Sequence, residues 1–289
     1  MQYTAPGINE PTLGVLSDTA IYRAPKGWPP TSLALLDNWS EFVGQLAVLR
    51  AEDLESATNA KLVAPITYPR KLICAGANFY SHAAEMGTPP PDPSATPFFF
   101  LKPPTTTVIG PDALAPLPSG DDPMYDWEAE LGIVIGARCK DVSPAEASKF
   151  IAGFVVANDL SARGRFTRPS AKEPFAWDWL GQKSQDGSCP IGPGIVPAWM
   201  VPKIASARIT LSVNGELKQD SNMSDIIVGI YNLVSSASKT LTLEPGDVIL
   251  AGTPAGVGMP RQTFLRTGDL VEATIEGVGS LRTFIGEAA

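Results

Sequence analysis

The residues with most chemical potential in this chain are acids spaced by two. Asp126-Trp127-Glu128-Ala129-Glu130 runs straight into the apolar stretch Leu131-Gly132-Ile133-Val134-Ile135. On a strand, alternate side chains share a face, so Glu128 and Glu130 project side by side while Ala129 and Leu131 point the other way. Two carboxylates held that close repel each other, and when buried they need a cation or raised pKa values. Asp159 ends a second apolar run, Phe154 to Asn158. A third acid converging from a strand end would complete an oxygen-only ligand set. Such a set suits a hard divalent ion such as Mg²⁺, Mn²⁺ or Ca²⁺, and not zinc. The competing reading of the same spacing is an acidic solvent face on an antiparallel sheet.

His82 is the sole histidine, which excludes a multi-histidine metal centre. Glu85 follows three residues later. On a helix the two side chains share a face and can hydrogen-bond. A carboxylate beside an imidazole fixes its tautomer and raises its basicity, which prepares a general base. A plain surface pair has the same spacing.

These residues need elements to position them. Residues 1–65 read as a small N-terminal unit. In it, Gly14 to Ala24 forms a hairpin with Ser17-Asp18 near the turn, and Ser32 to Arg50 carries apolar residues at helical spacing. Pro65 and Pro69 mark the boundary with a second unit, 66–289. There, Lys71–Cys74, Phe98–Leu101, Trp127–Ile135, Gly153–Asn158, Ala207–Val213, Val248–Ala251 and Leu270–Ile275 read as strands. Tyr80–Met86 reads as a helix. Ser143, with Pro144 and Glu146, begins another, and Ser224 caps a third running to Val234. The Pro-rich stretch from Gly87 to Pro97 is either a rigid linker or a lid over a site. The fold class is α+β and β-rich.

Composition narrows the function. The 289 residues carry 22 Lys+Arg against 30 Asp+Glu, a net charge of −8, with no dense basic cluster. Nucleic acid is therefore an improbable partner. The three cysteines, without a CxxC pair, argue against a disulfide framework and a zinc cluster. The first ten residues do not read as a signal peptide, and no stretch approaches the roughly 18 apolar residues of a membrane helix. A reducing cytoplasm is the expected compartment.

In order and spacing, several segments resemble the fumarylacetoacetate hydrolase family. They are Gly76-Ala77-Asn78-Phe79-Tyr80-Ser81-His82-Ala83-Ala84-Glu85-Met86-Gly87, then Phe99-Phe100-Leu101-Lys102-Pro103, then Asp126 to Gly136. Asn158-Asp159-Leu160-Ser161-Ala162-Arg163, Gln182-Lys183-Ser184, Cys189-Pro190-Ile191-Gly192-Pro193 and Gly252-Thr253-Pro254-Ala255-Gly256-Val257-Gly258 follow. The resemblance implies a mixed β-sandwich roll, assembled as a homodimer. It implies one divalent ion, Mg²⁺ or Mn²⁺ (with Ca²⁺ an in vitro substitute), on Glu128, Glu130 and Asp159. His82 and Glu85 match the catalytic pair, on a segment that can order over substrate. Lys183 matches a lysine beside the metal that stabilises an oxyanion. Thr253, Arg163 and Gln182 match substrate contacts, with Phe79 and Lys102 as pocket lining.

The implied reaction is hydrolytic cleavage of a carbon–carbon bond in a 2,4-diketo acid, an acylpyruvate-like compound. The His82–Glu85 pair would activate water, and metal and Lys183 would stabilise the departing enolate. Oxaloacetate decarboxylation and isomerisation of a 2-hydroxy-diene dioate would use the same site. A binding protein that keeps the fold without the chemistry is the rival from another class.

The chain departs from the family after Arg163. Gly164-Arg165-Phe166-Thr167-Arg168-Pro169 replaces an Asp and a substrate-touching Gln. Arg165 and Arg168 either suit a more acidic substrate or face solvent. Phe175, Trp177 and Trp179 either line a larger pocket or pack at a dimer interface. Gln185 replaces an aromatic residue, which implies a more polar wall.

Overall fold

A computed structural model describes residues 1–17, 20–120, 122–173 and 175–287. The centre is a seven-stranded mixed sheet. Its order is Phe99–Leu101, Leu72–Ala75, Val248–Leu250, Ala129–Ile135, Ile151–Asn158, Cys189–Pro197 and Val108–Ile109. Every residue of Ala129–Ile135 and Ile151–Asn158 is buried. Both faces of these strands are covered, which is why they read as continuous apolar runs.

One face shares a core with a five-stranded sheet ordered Glu216–Asn222, Arg208–Val213, Leu270–Ile275, Gly279–Gly286 and Leu114–Pro116. Leu131, Ile133 and Phe154 meet Ile209, Leu211, Val271 and Leu281 there, with the helix Ile230–Thr240 supplying Leu233 and Val234. The other face, through Val134, Val155, Val248 and Leu250, packs on Leu36 and Trp39. Those two residues come from the helices Ser32–Asp37 and Trp39–Ala47. A four-stranded sheet of Ala20–Arg23, Ile8–Ser17, Gln2–Ala5 and Lys61–Val63 adjoins them. The expected 14–24 hairpin is present, although Asp18 lies outside the described residues. Among the described residues, no helix is long and apolar enough to cross a membrane. The three cysteines are buried and free.

Two expected helices differ. Residues 143–146 form a turn, followed only by the 3-10 segment Ala147–Phe150. The buried strand that starts at Ile151 leaves no room for a full helix. The third helix starts at Ile230 rather than Ser224. The intervening chain is captured by Asn78: its carbonyl oxygen accepts the Ile227 N–H, and its side chain accepts the Val228 N–H at 2.9 Å and donates to the Val228 oxygen at 3.1 Å. A strong side-chain competitor for backbone groups overrides helical periodicity.

Candidate active site

The Ala129–Ile135 and Ile151–Asn158 strands pair antiparallel, with Ala129 opposite Asn158. That register brings Glu128, Glu130 and Asp159 to one sheet end. One carboxylate oxygen from each lies within 4.8 Å of the others, and all three residues are buried. The pairing continues past the strands: the Asp159 N–H donates to the Glu128 carbonyl at 2.8 Å, and the Asn158 side chain accepts the Glu128 N–H at 2.9 Å.

Buried cations surround the acids. Lys183 Nζ donates to Glu128 Oε2 at 2.8 Å and to Asp159 Oδ2 at 2.7 Å. It reaches them from the helix Trp179–Lys183, whose N-cap Asp178 accepts the Gly181 N–H at 2.7 Å. Arg163 bridges Asp126 and Glu128 at 3.0 and 2.6 Å. Lys102 donates to Asp159 Oδ1 and to the Leu160 and Ser188 carbonyls. Burial alone would push Glu128 up, but Lys183 and Arg163 hold it below the usual carboxylate range. Glu130 is pushed well up, by burial and then by Asp159 and Glu128. It accepts the Gly252 N–H at 2.6 Å but has no paired cation among the described residues.

This balance decides whether a divalent ion fits. Three cations, Lys102, Arg163 and Lys183, face four buried acids, Asp126, Glu128, Glu130 and Asp159. The acids outnumber the cations by one, and Glu130, whose carboxyl burial and its acidic neighbours push up, is the hard oxygen donor left without a cation among the described residues. Buried charge of this kind calls for a cation. A divalent ion added there would leave room for one substrate carboxylate.

The opposite wall carries His82, on the six-residue helix Tyr80–Glu85. His82 Nδ1 stands 3.8 Å from Glu85 Oε2, and is buried without a hydrogen-bond partner among the described residues. Glu85 is fixed elsewhere: it accepts the Gly256 N–H at 2.9 Å and Arg261 Nη1 at 2.6 Å. Burial pushes its carboxyl up, but His82, Gly256 and Arg261 prevail and hold it at about 2. Gly256 sits at φ +109°, and a Cβ there would lie 2.1 Å from the Lys218 carbonyl oxygen. Only glycine presents its N–H to Glu85 so closely.

A cavity of about 260 Å³ joins the two walls. His82, Glu128, Glu130 and Asp159 line it, as do Arg163, Gln182, Lys183 and Thr253. Gln182 Oε1 is buried there without a partner among the described residues. Glu85 stands behind His82. Lys102 lies behind Asp159, and Phe79 packs in the main core against Ile226; neither lines the cavity. Arg165 and Arg168 do not line it either, and Arg168 is exposed.

The positioning roles of two residues escape sequence reasoning. Gln219, fully buried, accepts the Ala129 N–H at 2.9 Å and donates to Thr253 Oγ1 at 2.8 Å. It ties the acid strand to the Thr253 loop, and a lone glutamine on a polar strand carries no signal of that. Asp126 accepts the Gly258 and Met259 N–H groups as well as Arg163. Its place in the alternating acids is the signal that was available.

A roll of packed sheets carrying three converging acids beside a His-Glu pair defines the class. The chain belongs to the fumarylacetoacetate hydrolase family: the model described as Fumarylacetoacetate (FAA) hydrolase C-terminal matches residues 71–285. Oxaloacetate tautomerase fahd2, mitochondrial, of Xenopus laevis is 37% identical over 228 residues, which cover 78% of this chain and 68% of that one. The 5-carboxymethyl-2-hydroxymuconate delta-isomerase from Mycobacterium smegmatis superposes with TM-score 0.74 at 31% identity, covering 100% of this chain and 98% of that one. Maleylpyruvate hydrolase from Sphingobium sp. SYK-6, in complex with manganese (II) ion and pyruvate, superposes with TM-score 0.79 at 25% identity, covering 100% of both. The family thus holds enzymes of three kinds: hydrolase, isomerase and tautomerase.

Proposed function

We propose that this chain is a divalent-metal-dependent hydrolase that splits a carbon–carbon bond in a 2,4-diketo acid. Glu128, Glu130 and Asp159 hold the ion, Mg²⁺ or Mn²⁺. The observation that carries this reading is the shared cavity. A histidine backed by a locked carboxylate faces a buried cluster in which acids outnumber cations. The manganese and pyruvate bound in the maleylpyruvate hydrolase neighbour support the same ligand class.

When bound, the ion supplies Lewis-acid charge for the two oxygens at the 2-keto acid end. Arg163, Gln182 and Thr253 line the cavity and orient that end. Closing the 3.8 Å gap to Nδ1 around substrate lets Glu85 hold the His82 tautomer, so that His82 Nε2 takes a proton from water. The hydroxide adds to the C4 carbonyl, the C3–C4 bond breaks, and its electron pair leaves as the pyruvate enolate. Lys183 stabilises the developing negative charge, and His82 returns the proton to C3. One diketo acid and one water give one carboxylic acid, which ionises, and one pyruvate. We assign the active form to a cytoplasmic homodimer in which 1–65 and 66–289 are separate units. The exposed Phe175, Leu180, Trp199 and Met200 supply apolar surface for that dimer.

The Xenopus laevis relative favours one second reading, keto–enol tautomerisation of oxaloacetate. The His82–Glu85 pair would shuttle a proton with no bond cleaved. Oxaloacetate decarboxylation is a further outcome of the same test. Purified protein is given acetylpyruvate and, separately, oxaloacetate, each with Mg²⁺ and with excess chelator, and products are read by NMR. Acetate plus pyruvate only with metal supports hydrolysis. Accelerated enol–keto exchange of oxaloacetate without acetylpyruvate cleavage replaces that reading with tautomerisation. Pyruvate from oxaloacetate alone replaces it with decarboxylation.

A further inference from the structure

The acid-lined cavity does not end at its aromatic wall. A second cavity of about 470 Å³ abuts it, and Ala77, Phe166 and Trp179 line both. Rings form a continuous path outward from the acids. Lys183 Nζ lies 5.4 Å from the Phe100 ring centroid, and Phe100 stacks on Trp179 at 5.1 Å. Trp179 in turn meets Phe98 and Phe166 at 5.0 Å each, and Phe166 meets Trp177 at 4.8 Å. The Pro-rich loop supplies Pro91, Ala95 and Pro97 to the same chamber.

Charge in the chamber is as informative as shape. Among the described residues lining it, the one ionisable side chain is Asp92. Arg165 and Arg168 line neither cavity. Phe98 and Trp177 are half-exposed, so the chamber opens outward, but a second carboxylate carried into it would meet ring faces and a like charge, with no cation to pair with it. A flat apolar group meets ring edges and faces at their preferred spacings.

We infer that the substrate is a mono-acid whose distal group is aryl or similarly flat and apolar, seated among Phe98, Phe166, Trp177 and Trp179. This rests on the reading that a 2-keto acid end binds at the acid cluster. It assigns Phe98 and Trp177, which touch neither acid nor cation of that cluster, as specificity-determining residues.

The test compares benzoylpyruvate, acetylpyruvate and succinylpyruvate as substrates of the Mn²⁺-loaded protein. Burial of the phenyl group predicts a kcat/KM for benzoylpyruvate about 10- to 100-fold above that for acetylpyruvate. Succinylpyruvate falls below both. Trp177→Ala and Phe98→Ala each shrink the benzoyl-to-acetyl ratio, chiefly through KM. A succinylpyruvate rate matching that of benzoylpyruvate overturns the inference, as does a ratio unmoved in both variants. If none of the three is cleaved, the hydrolase reading fails, and calorimetric binding of phenylpyruvate against pyruvate decides the chamber separately. Tenfold tighter phenylpyruvate binding that is lost in Trp177→Ala sustains the chamber, and equal binding overturns it.

Discussion

The two walls of the cavity are built in different ways. On the acid wall, Glu128 accepts from Arg163, Lys183 and Ser161, and Asp159 accepts from Lys102 and Lys183. Glu128 and Asp159 flank the ends of paired central strands and are set when the core forms. On the histidine wall, a six-residue helix is docked by a few bonds: Ser81 to the Ala255 N–H, and Glu85 to Gly256 and Arg261. It leads into the exposed stretch 87–96. The acid wall is therefore preassembled charge, while the histidine wall is a short docked part. The 3.8 Å gap between His82 and Glu85 fits that difference, because catalytic hydrogen bonds often tighten only around substrate.

The comparison breaks most visibly at Asp159. Asp159→Ala leaves Lys102 buried without its carboxylate and Lys183 with Glu128 alone. Removing one partner of a buried pair costs about 3–5 kcal/mol. Thermal unfolding should drop by several degrees, and calorimetry should show no Mn²⁺ binding. A variant that unfolds like the parent and still binds Mn²⁺ would remove Asp159 from the ligand set.

His82→Ala tests the other wall. Loss of a general base lowers kcat by about 10²- to 10⁴-fold. Mn²⁺ affinity should stay at the parent value, because His82 is bonded to none of the three acids. A parallel loss of Mn²⁺ binding would mean that the two walls are not independent.

The same division governs what the sequence reveals. The central strands were legible because both faces are buried, so Ile151–Asn158 is one apolar run. The acids were legible because an alternating Glu pair at the mouth of such a run is costly without a purpose. The Cys189–Pro197 strand was not, since its prolines and glycines read as turn residues while it occupies an outer place in the sheet. The late start of the Ile230 helix was hidden because Asn78 acts from 150 positions away. The aromatic residues at 175–179 stand out in the sequence, but only the shared wall of two cavities tells pocket from surface. Trp179 lines both cavities, whereas Phe175 is exposed.

Gln219 joins the walls, and its loss has a smaller effect. Gln219→Leu keeps much of the volume but leaves the Ala129 N–H without its acceptor and Thr253 without its donor. Unsatisfied buried groups cost about 1–3 kcal/mol. Urea unfolding should register that loss, with a raised KM as Thr253 drifts. An unchanged KM alongside the stability loss would confine Gln219 to the fold.

The smallest effect concerns what docks the histidine wall, and acid should release it. The Glu85 carboxyl is depressed from 4.5 to about 2 by its partners, despite burial. A depressed folded-state pKa contributes stability that is fully present above the unfolded value. It is lost as pH falls from about 4.5 toward 2. Amide exchange at Gly256, whose N–H bonds Glu85, is the local readout. Protection there should decline over that window before the central strands open, while Glu85→Gln starts lower and changes little with pH. Identical pH profiles in the two proteins would mean that Ser81 and the backbone, not Glu85, hold the segment down. The two walls would then differ in placement alone and not in how they are fastened.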